Sequence, residues 1–556
     1  MYFCVQIKKP KIMKLMNRKL FVTIASLLLC GSVFAQRQGR HDVIENLYAT
    51  SNQVVNLEST SPVRFGPTYP WVAPTNMVNS MMVYAQILID GELVTEYNRW
   101  EVGAFCNGEC RDVQSRFWHI DNTDLWEMFF LIRSNNSEGD EIEFYLYDKF
   151  NQEVVEAVCY PSTITFVTDG KLGEIWAPID LNFVTRQTFT KDIAGYGEET
   201  NPGGYYLIAS PIGQVNPEEV TNMLANRYDL YYFDQTPELE WINYKSEDGP
   251  FDLVPGTGYL YANSNDVTLT FTGFPYQGNG EVTLVKDDNA SFSGWNLVGN
   301  PFTQTAYLTK PHYTMNGTGD EIISTVENSV EFMEGVFVIA DTNEEVLTFS
   351  TEAPSKTTPA LVINVNQNRG YDLDRAILRF GDEQELPKFQ LHEGSTKLFI
   401  QQNNEDFAVV RAEEMGKIPV CFKPSKDGNY TLTFTAREVS FNYLHLIDNL
   451  TGKEVDLLEN PSYNFEANET DYASRFLLVF ATGENSDDNF AFFSNGSFVI
   501  SNEGEAMFQV VDVTGRILKN EAINGSANVN VSVAPGVYML RLISGNNVKV
   551  QKVVVK

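Results

Sequence analysis

Apolar and polar residues alternate along most of this chain with a period of two, which is the pattern of half-buried β-strands. The clearest case is Glu141–Asp148, where three apolar residues fall on one face and glutamates and tyrosines fall on the other. Other apolar runs end at turn-forming pairs, at Asp90-Gly91 and at Asn107-Gly108. The sequence therefore predicts an all-β protein of tandem β-sandwich domains.

The first folded unit is predicted over residues 76–185. Its strands are expected at Met81–Asp90, Glu101–Cys106, Trp126–Arg133 and Glu141–Asp148. Residues 36–75 are polar and irregular, and we expect them to pack as an extended arm.

An internal repeat marks the second region, predicted over residues 186–385. Gly204–Pro211 returns as Gly294–Pro301, and Ala262–Phe271 returns as Ala340–Phe349. Two related β lobes in one domain are expected from this pattern. A helix is predicted only at Asn216–Leu224, because asparagine can cap it, proline suits its first position and two glutamates suit its dipole.

A third β-sandwich is predicted over residues 386–482, with strands at Lys388–Gln401, Phe407–Arg411, Gly428–Phe434, Phe441–Asp448 and Ser474–Phe480. Residues 483–492 then form a polar linker that contains glycine. A last small unit follows over residues 493–556.

The N-terminus has the pattern of a secretory signal peptide over residues 1–35. Lys14, Arg18 and Lys19 precede the apolar core Leu20–Leu29, which is too short to span a bilayer. Small residues end the signal at Ala35, and the natural start of translation is expected at Met13 or Met16. A lipoprotein signal with an acylated Cys30 is the alternative, but Leu29 stands where that signal needs a small residue.

Charge separates the body of the chain from its end. The whole chain carries a formal net charge of -33, and residues 36–488 contain 28 basic and 69 acidic residues. Residues 489–556 contain six basic and four acidic residues. A strongly acidic body repels phosphate backbones, so nucleic acid is not expected as a partner.

Four cysteines remain after the signal: Cys106, Cys110, Cys159 and Cys421. Their spacing contains no C-x-x-C, which argues against zinc ribbons and thioredoxin-type chemistry. With Asn107-Gly108 as a two-residue turn, Cys106 faces Glu109, Cys110 faces Phe105, and the two sulfur atoms point to opposite sides of the sheet. Two alternatives remain: Cys110 pairs with Cys159, or all four thiols are free.

Three blocks stand out in the last unit. They are Phe498–Asn502, Val510–Leu518 and Pro535–Leu542, and a lysine-dotted strand follows at Lys549–Lys556. Asp512 and Gly515 are expected to form a hairpin turn, and lysines protect an edge strand against aggregation. These blocks resemble the C-terminal sorting domain of type IX secretion cargo, a small immunoglobulin-like domain in one group of Gram-negative bacteria.

The resemblance implies a sorting signal, a route and partners. Its residues in this chain would be Asp512, Gly515, Arg516, Pro535, Gly536, Val537, Tyr538, Arg541, Lys549 and Lys552. The translocon of that system would carry the chain to the outer cell surface, and its sortase would remove the tail. The new carboxyl end would then be joined to anionic lipopolysaccharide, with cleavage expected at residues 482–489, since proteolysis needs an exposed backbone.

Catalytic motifs are not evident in the sequence. The five histidines lack metal-site spacing, neither a G-x-S-x-G elbow nor a phosphate-binding loop occurs, and no cofactor or metal is predicted. We expect a non-enzymatic, adhesin-like protein whose aromatic residues bind a glycan or a host protein. The alternative is a secreted glycosidase-like hydrolase with unrecognised carboxylates, for which Glu141 and Glu143 are weak candidates.

Overall fold

A computed structural model describes residues 66–555, except 97, 122, 197–203, 238–239, 248, 368–369, 382–384, 393, 483–489, 495 and 503. The signal peptide, most of the arm and most of the linker lie outside the described residues. Within them, the chain is all-β, as predicted, and contains one short 3₁₀ helix. No helix in the described part of the chain is long and apolar enough to cross a membrane.

The first unit is a sandwich of two sheets that enclose one apolar core. Its strands are β1 (Asn79–Ile89), β2 (Glu92–Leu93), β3 (Trp100–Cys106), β4 (Glu109–Gln114), β5 (Phe117–His119), β6 (Trp126–Ser134), β7 (Glu138–Asp148), β8 (Glu153–Val154), β9 (Ala157–Tyr160), β10 (Ile164–Val167), β11 (Lys171–Leu172) and β12 (Ile179–Thr185). One sheet has the order β5-β6-β1-β12-β9, and the other has the order β10-β7-β3-β4.

The predicted hairpin at Asn107-Gly108 is present. Both residues have positive φ, 50° and 78°, as a two-residue turn of the primed type requires. Cys106 pairs with Glu109, and Phe105 pairs with Cys110. The register predicted from the sequence is therefore confirmed.

Cys110 and Cys159 do not form the disulfide that was one of the two predicted alternatives. All four cysteines of the described residues are free. Cys159 lies with Cys106 in the core between the sheets, whereas Cys110 packs on the outer side of its sheet beside an aromatic cluster. Because β-strand side chains alternate between faces, a sheet separates the two sulfur atoms.

That aromatic cluster is covered by the described end of the arm. Trp71 packs against Phe105, and Tyr69 stacks on Tyr147 with ring centroids 3.6 Å apart. The indole Nε1 of Trp71 donates a hydrogen bond to the Pro67 carbonyl at 2.9 Å. Within residues 66–75, the arm therefore packs against the first sandwich.

The repeat region folds into two lobes with matching sheets. The first lobe contains β13 (Gln187–Ile193), β14 (Tyr206–Ala209), β15 (Tyr228–Phe233), β16 (Trp241–Asn243), β17 (Gly258–Asn263) and β18 (Val267–Gly273). The second contains β19 (Glu281–Leu284), β20 (Trp295–Gly299), β21 (Ala306–Tyr307), β22 (Tyr313–Met315), β23 (Ile322–Ser324), β24 (Ser329–Val330), β25 (Gly335–Ile339) and β26 (Glu345–Thr348). The order β14-β17-β15-β16 in one lobe corresponds to β20-β25-β22-β23 in the other.

Equivalent residues of the two repeats meet where the lobes touch. Ile208 bridges Glu334, and the equivalent bridge joins Val298 to Thr257. A Cβ on Gly299 would lie 2.6 Å from the Cβ of Ala209, so glycine is required for this close approach. The repeat in the sequence therefore corresponds to an approximate twofold symmetry at the contact between the two lobes.

The predicted helix at Asn216–Leu224 is wrong in length. Only Pro217–Glu219 is helical, as a 3₁₀ turn in which the side chain of Asn216 accepts a hydrogen bond from the Glu218 amide at 2.9 Å. Thr221 instead exchanges backbone hydrogen bonds with Thr270 of β18, at 3.0 and 3.1 Å. Sheet pairing therefore ends the helix after one turn, although its start was predicted correctly.

The third unit is one sheet of eleven strands folded around a single core. The strands are β27 (Ala360–Asn366), β28 (Asp372–Arg379), β29 (Leu386–Pro387), β30 (Lys397–Gln402), β31 (Glu405–Arg411), β32 (Met415–Lys423), β33 (Gly428–Arg437), β34 (Phe441–Asp448), β35 (Lys453–Asp456), β36 (Ser462–Ala467) and β37 (Phe476–Thr482). The predicted boundary between residues 385 and 386 falls inside this sheet, because β27 and β28 pair with β33 and β31.

A buried junction explains why the sequence boundary was misplaced. The hydroxyl of Tyr313, in the second lobe, donates to the Pro387 carbonyl at 2.8 Å and accepts from the Phe389 amide at 2.9 Å. The carboxylate of Glu321 accepts from the Leu391 amide at 2.5 Å. One apolar core therefore continues from the lobes into the third unit, without a polar linker between them.

The C-terminal unit contains β38 (Ala491–Ser494), β39 (Ser497–Ile500), β40 (Glu505–Asp512), β41 (Ile517–Asn524), β42 (Ala527–Asn530), β43 (Gly536–Ser544) and β44 (Asn547–Val555). A sheet of order β38-β39-β42 packs against a sheet of order β41-β40-β43-β44. Phe490 and Ala491 are buried in this core, so the folded unit begins before the predicted residue 493. The rest of the predicted linker, residues 483–489, lies outside the described residues.

Candidate sorting signal

The turn between β40 and β41 is held by a single carboxylate. One oxygen of Asp512 accepts hydrogen bonds from the Thr514 amide at 2.9 Å, from its hydroxyl at 2.6 Å and from the Arg516 amide at 3.0 Å. The other oxygen accepts from the guanidinium of Arg516 at 3.1 Å. Gly515 has a φ of 86°, which favours glycine. The predicted roles of Asp512 and Gly515 in a turn are consistent with this geometry.

These hydrogen bonds, first those from Thr514, lower the pKa of Asp512 to about 2. The turn nevertheless lies in solvent, and Val513 at its tip is 77% exposed. It therefore presents a fixed Asp–Arg pair with an apolar side chain between them.

The strand β43 lies in the middle of the larger sheet and is apolar on both faces. Tyr538, Leu540 and Leu542 point into the core of the unit. Val537, Met539 and Ile543 point to the opposite side, where they are only half-buried. A strand with two apolar faces is typical of a sheet covered on both sides. In the described residues, this sheet is covered on one side only.

Neighbouring strands extend this apolar surface. The register pairs Val537 with Val554, Ile543 with Val548, and Met539 with Val511. We call the surface the outer face; its apolar members are Met507, Val511, Ile517, Val537, Met539, Ile543, Val548, Val550 and Val554. Arg541 pairs with Val550 and Lys552 pairs with Met539, so two cations stand within the outer face.

The predicted signal residues thus divide into groups. Val537, Arg541 and Lys552 lie on the outer face, whereas Tyr538 points inward and donates a hydrogen bond from its hydroxyl to the Ala534 carbonyl at 2.7 Å. Lys549 pairs with Leu542 on the inward side at the sheet edge, and Pro535 is exposed just before β43.

Gly536, another of the predicted signal residues, does not need the conformational freedom of glycine. Its φ is not in the positive range, and a Cβ there would meet no atom closer than 3.7 Å. The fold alone therefore does not require glycine at this position.

Sequence reasoning missed Gln551, which ties the last strand to the first strand of the unit. Its side-chain oxygen accepts from the amides of Phe490 at 2.9 Å and Ala491 at 2.7 Å, and its nitrogen donates to the Ala491 carbonyl at 2.7 Å. A buried glutamine inside an alternating apolar strand was the available signal, because a buried amide needs partners. The ends of the unit are therefore joined to each other.

The unit also packs on the body. Val499 and Phe492 contact an apolar patch on the third unit that includes Tyr443, Val479 and Ala481. The side-chain amide of Asn442 donates a hydrogen bond to the Ser501 hydroxyl at 3.2 Å. This contact uses the smaller sheet, so the outer face of the larger sheet remains uncovered by the described residues.

The candidate catalytic carboxylates of the body, Glu141 and Glu143, are both on β7 and both accept hydrogen bonds from neighbouring hydroxyls. Glu141 accepts hydrogen bonds from the hydroxyls of Thr163 and Thr165, and Glu143 accepts from the hydroxyl of Tyr145. No group of three His, Cys, Asp or Glu residues in the described part of the chain could hold a metal ion.

Comparison with known proteins bears on the C-terminal unit. Residues 494–556 match the family model of the secretion system C-terminal sorting domain. The chain is therefore type IX secretion cargo that is exported to the cell surface or released, and its tail interacts with the type IX machinery.

The other comparisons add little about the body. No curated protein matches the chain. A solved structure described as the BSP domain of a biofilm associated protein is similar at 8% identity, and the match covers 88% of this chain and 98% of that chain. Its TM-score is 0.14, so this similarity carries no information about function.

Proposed function

We propose that this chain is a non-enzymatic surface protein whose β modules bind a carbohydrate or protein ligand in an adhesin-like manner. We further propose that the outer face of its sorting domain is the surface that the secretion machinery recognises. The single observation that carries the second proposal is the uncovered apolar face around Val537, Met539 and Ile543.

The outer face lies outside the core of the sorting domain. Its side chains lie opposite the core-facing residues Tyr538, Leu540 and Leu542, which already bury the inward side of β43. Large exposed apolar surfaces usually mark a site of protein or membrane contact. Arg541 and Lys552 add cations to this surface, which makes it distinct from the acidic body.

Removal of the tail is expected before Phe490. Phe490 and Ala491 are buried in the tail and bound by Gln551, so a protease cannot reach their backbone without unfolding the domain. A sortase that cuts within residues 483–489 and joins the new carboxyl end to anionic lipopolysaccharide would remove the whole sorting domain from the surface form. Intact-mass measurement of the surface form tests this, and a form that retains residues 490–556 would contradict it.

The recognition proposal is tested with a face variant that carries Val537→Thr, Met539→Thr and Ile543→Thr. Delivery is measured as the fraction of the protein that external protease digests on intact cells. The control variant carries Val72→Thr, Val78→Thr and Val346→Thr, which removes exposed apolar surface from the body instead. We expect the face variant to be retained inside the cell and the control to be delivered. Normal delivery of a folded face variant would refute the proposal.

The secreted glycosidase remains the alternative for the body. It requires two carboxylates on opposite sides of a glycosidic bond. Release of reducing ends from polysaccharides by the purified chain would favour it over a binding protein, and the measurement is independent of delivery.

A further inference from the structure

Two tryptophans of the first sandwich lie on its surface, whereas the others are at least half-buried. Trp118 is 57% exposed and Trp176 is 68% exposed. Trp118 is on the edge strand β5, and Trp176 is at the tip of the turn Glu174–Ala177, which protrudes between β11 and β12. Large aromatic side chains usually stabilise a fold by burial, so their exposure calls for another explanation.

Trp118 lies on the outer side of the sheet β5-β6-β1-β12-β9, since its neighbour Phe117 packs toward the core, and Trp176 is in the exposed turn that precedes β12 of the same sheet. The inner side of this sheet is filled by residues such as Met128 and Phe130. On the outer side, Tyr84 and Phe129 are cross-strand partners with ring centroids 5.1 Å apart. We call this surface the aromatic face.

A carboxylate without a partner lies within the aromatic face. Glu127 is paired with Trp118 across β5 and β6, and the residue is only 4% exposed. Its Oε1 has no hydrogen-bond partner among the described residues. Burial raises the pKa of this carboxyl, and no charged neighbour offsets it. A buried polar atom without a partner is rare in native proteins and points to a missing donor.

Polar side chains continue the row that Trp118 and Glu127 begin. Gln86 on β1 is one residue beyond Ala85, which is the last residue of β1 that pairs with β6, and Gln86 itself pairs with Asp180 on β12. Four adjacent strands span about 14 Å, given a strand spacing of about 4.8 Å. The row therefore offers a tryptophan and three hydrogen-bonding side chains along the length of a short oligosaccharide.

The chemistry of the row favours a neutral, hydroxyl-rich ligand. Flat aromatic rings pack on the apolar faces of sugar rings, and carboxylate oxygens accept hydrogen bonds from hydroxyls. Glu127 and Asp180 would repel an anionic polymer, as would the strongly acidic body. A cation on the same face, Lys171, lies 5.5 Å from the Tyr84 ring and is paired with Glu174 at 3.3 Å. Glu127 is buried beside the three-residue edge strand β5, so the proposal requires a neighbouring side chain to move before a ligand hydroxyl can reach the carboxylate.

We propose that the aromatic face of the first sandwich binds a neutral polysaccharide, with Trp118 and Trp176 stacking on sugar rings and Glu127 accepting a hydrogen bond from a sugar hydroxyl. The inference rests on the proposed ligand-binding function and names its site and its class of ligand.

The test is affinity electrophoresis of the intact chain in gels that contain dextran, laminarin, xylan or mannan. We expect retardation in at least one gel, and we expect Trp118→Ala and Trp176→Ala each to weaken it at least tenfold. Phe150→Ala is the matched control, because Phe150 is 69% exposed in the same domain but lies at the turn after β7. Its retardation should equal that of the unmodified chain.

Glu127→Gln separates a binding role from a structural one. The substitution removes the buried charge and keeps the shape, so the thermal midpoint should stay the same or rise while binding weakens. A fall in both would mean that Glu127 is structural and would overturn its assigned role.

Three results would overturn the site as a whole: no retardation in any of the four gels, equal retardation of both tryptophan variants and the unmodified chain, or retardation only in a fifth gel that contains the anionic polymer polygalacturonate. None of them affects delivery to the surface. Binding of the body to a protein ligand is measured separately, so failure of the glycan site is distinguishable from failure of the wider function.

Discussion

Strand β33 of the third unit and strand β43 of the sorting domain carry similar residues on the face toward the core and different residues on the opposite face. Tyr430, Leu432 and Phe434 of β33 point into the core, as do Tyr538, Leu540 and Leu542 of β43. Outward, β33 carries Thr431, Thr433 and Thr435, whereas β43 carries Val537, Met539, Arg541 and Ile543. Threonine suits a strand face in contact with water, so the apolar face of β43 indicates a surface that another molecule covers.

An Asp–Arg pair at a turn also differs in its surroundings between these two units. Asp448 ends β34, and both its oxygens bind the guanidinium of Arg475, at 3.0 and 2.8 Å, in a buried site. Asp512 ends β40 and binds Arg516 in solvent. The same pair of residue types therefore stabilises the core in one unit and shapes an exposed turn in the other.

The largest expected effect is that of Arg475→Ala. It leaves Asp448 buried without its charged partner, which costs about 3–5 kcal/mol for such a pair. Arg437→Ala is the control, since its pair with Glu327 is exposed and is worth about 0–1 kcal/mol. Urea unfolding monitored by tryptophan and tyrosine fluorescence measures both. Equal costs for the two variants would break the distinction between buried and exposed pairs.

Leu432→Ala and Leu540→Ala compare the inward faces. Both leucines are fully buried at matching positions, and each truncation should cost about 2–5 kcal/mol. Hydrogen exchange of the third unit and of the tail reports the two costs separately. A much smaller cost at Leu540 would mean that the tail core is less tightly packed than the structure indicates.

Low pH should reduce the stability of the native chain more than that of the Asp448→Asn variant. Burial alone would raise the pKa of Asp448, but hydrogen bonds from Arg475 and Tyr463 outweigh it and hold the pKa below its ordinary value. The resulting stability is present above about pH 4, the ordinary range of an aspartate, and is lost as pH falls through the lowered pKa. In urea titrations between pH 7 and pH 2, the variant should lose less stability than the native chain. Parallel pH profiles would contradict this.

The smallest effect on stability is expected for the face variant Val537→Thr, Met539→Thr, Ile543→Thr. Since these side chains lie outside the core and are only partly buried, and threonine has a high β propensity, the thermal midpoint should change little. Calorimetry of the purified chain measures it. A large fall would show that the outer face stabilises the tail, and loss of delivery could then be due to unfolding.

Alternation predicted most strands and the register at Asn107-Gly108, because one face of each strand is polar. Alternation could not predict which face of β43 points toward the core, because Val537–Ile543 is apolar at nearly every position. The helix after Asn216 was overestimated because a local cap cannot reveal that Thr221 pairs with Thr270. The boundary at residue 385 failed for a similar reason, since the contacts of Tyr313 with Pro387 and Phe389 join residues far apart in the sequence.

The most direct test of the central claim is site-specific photo-crosslinking during export. A benzophenone amino acid placed at Met539, on the outer face, should crosslink the chain to a component of the secretion machinery. The same amino acid at Thr433, on the outward face of β33, should give no such product. Crosslinking from Thr433 alone, or export with no crosslink from Met539, would contradict the claim that the outer face is the recognised surface.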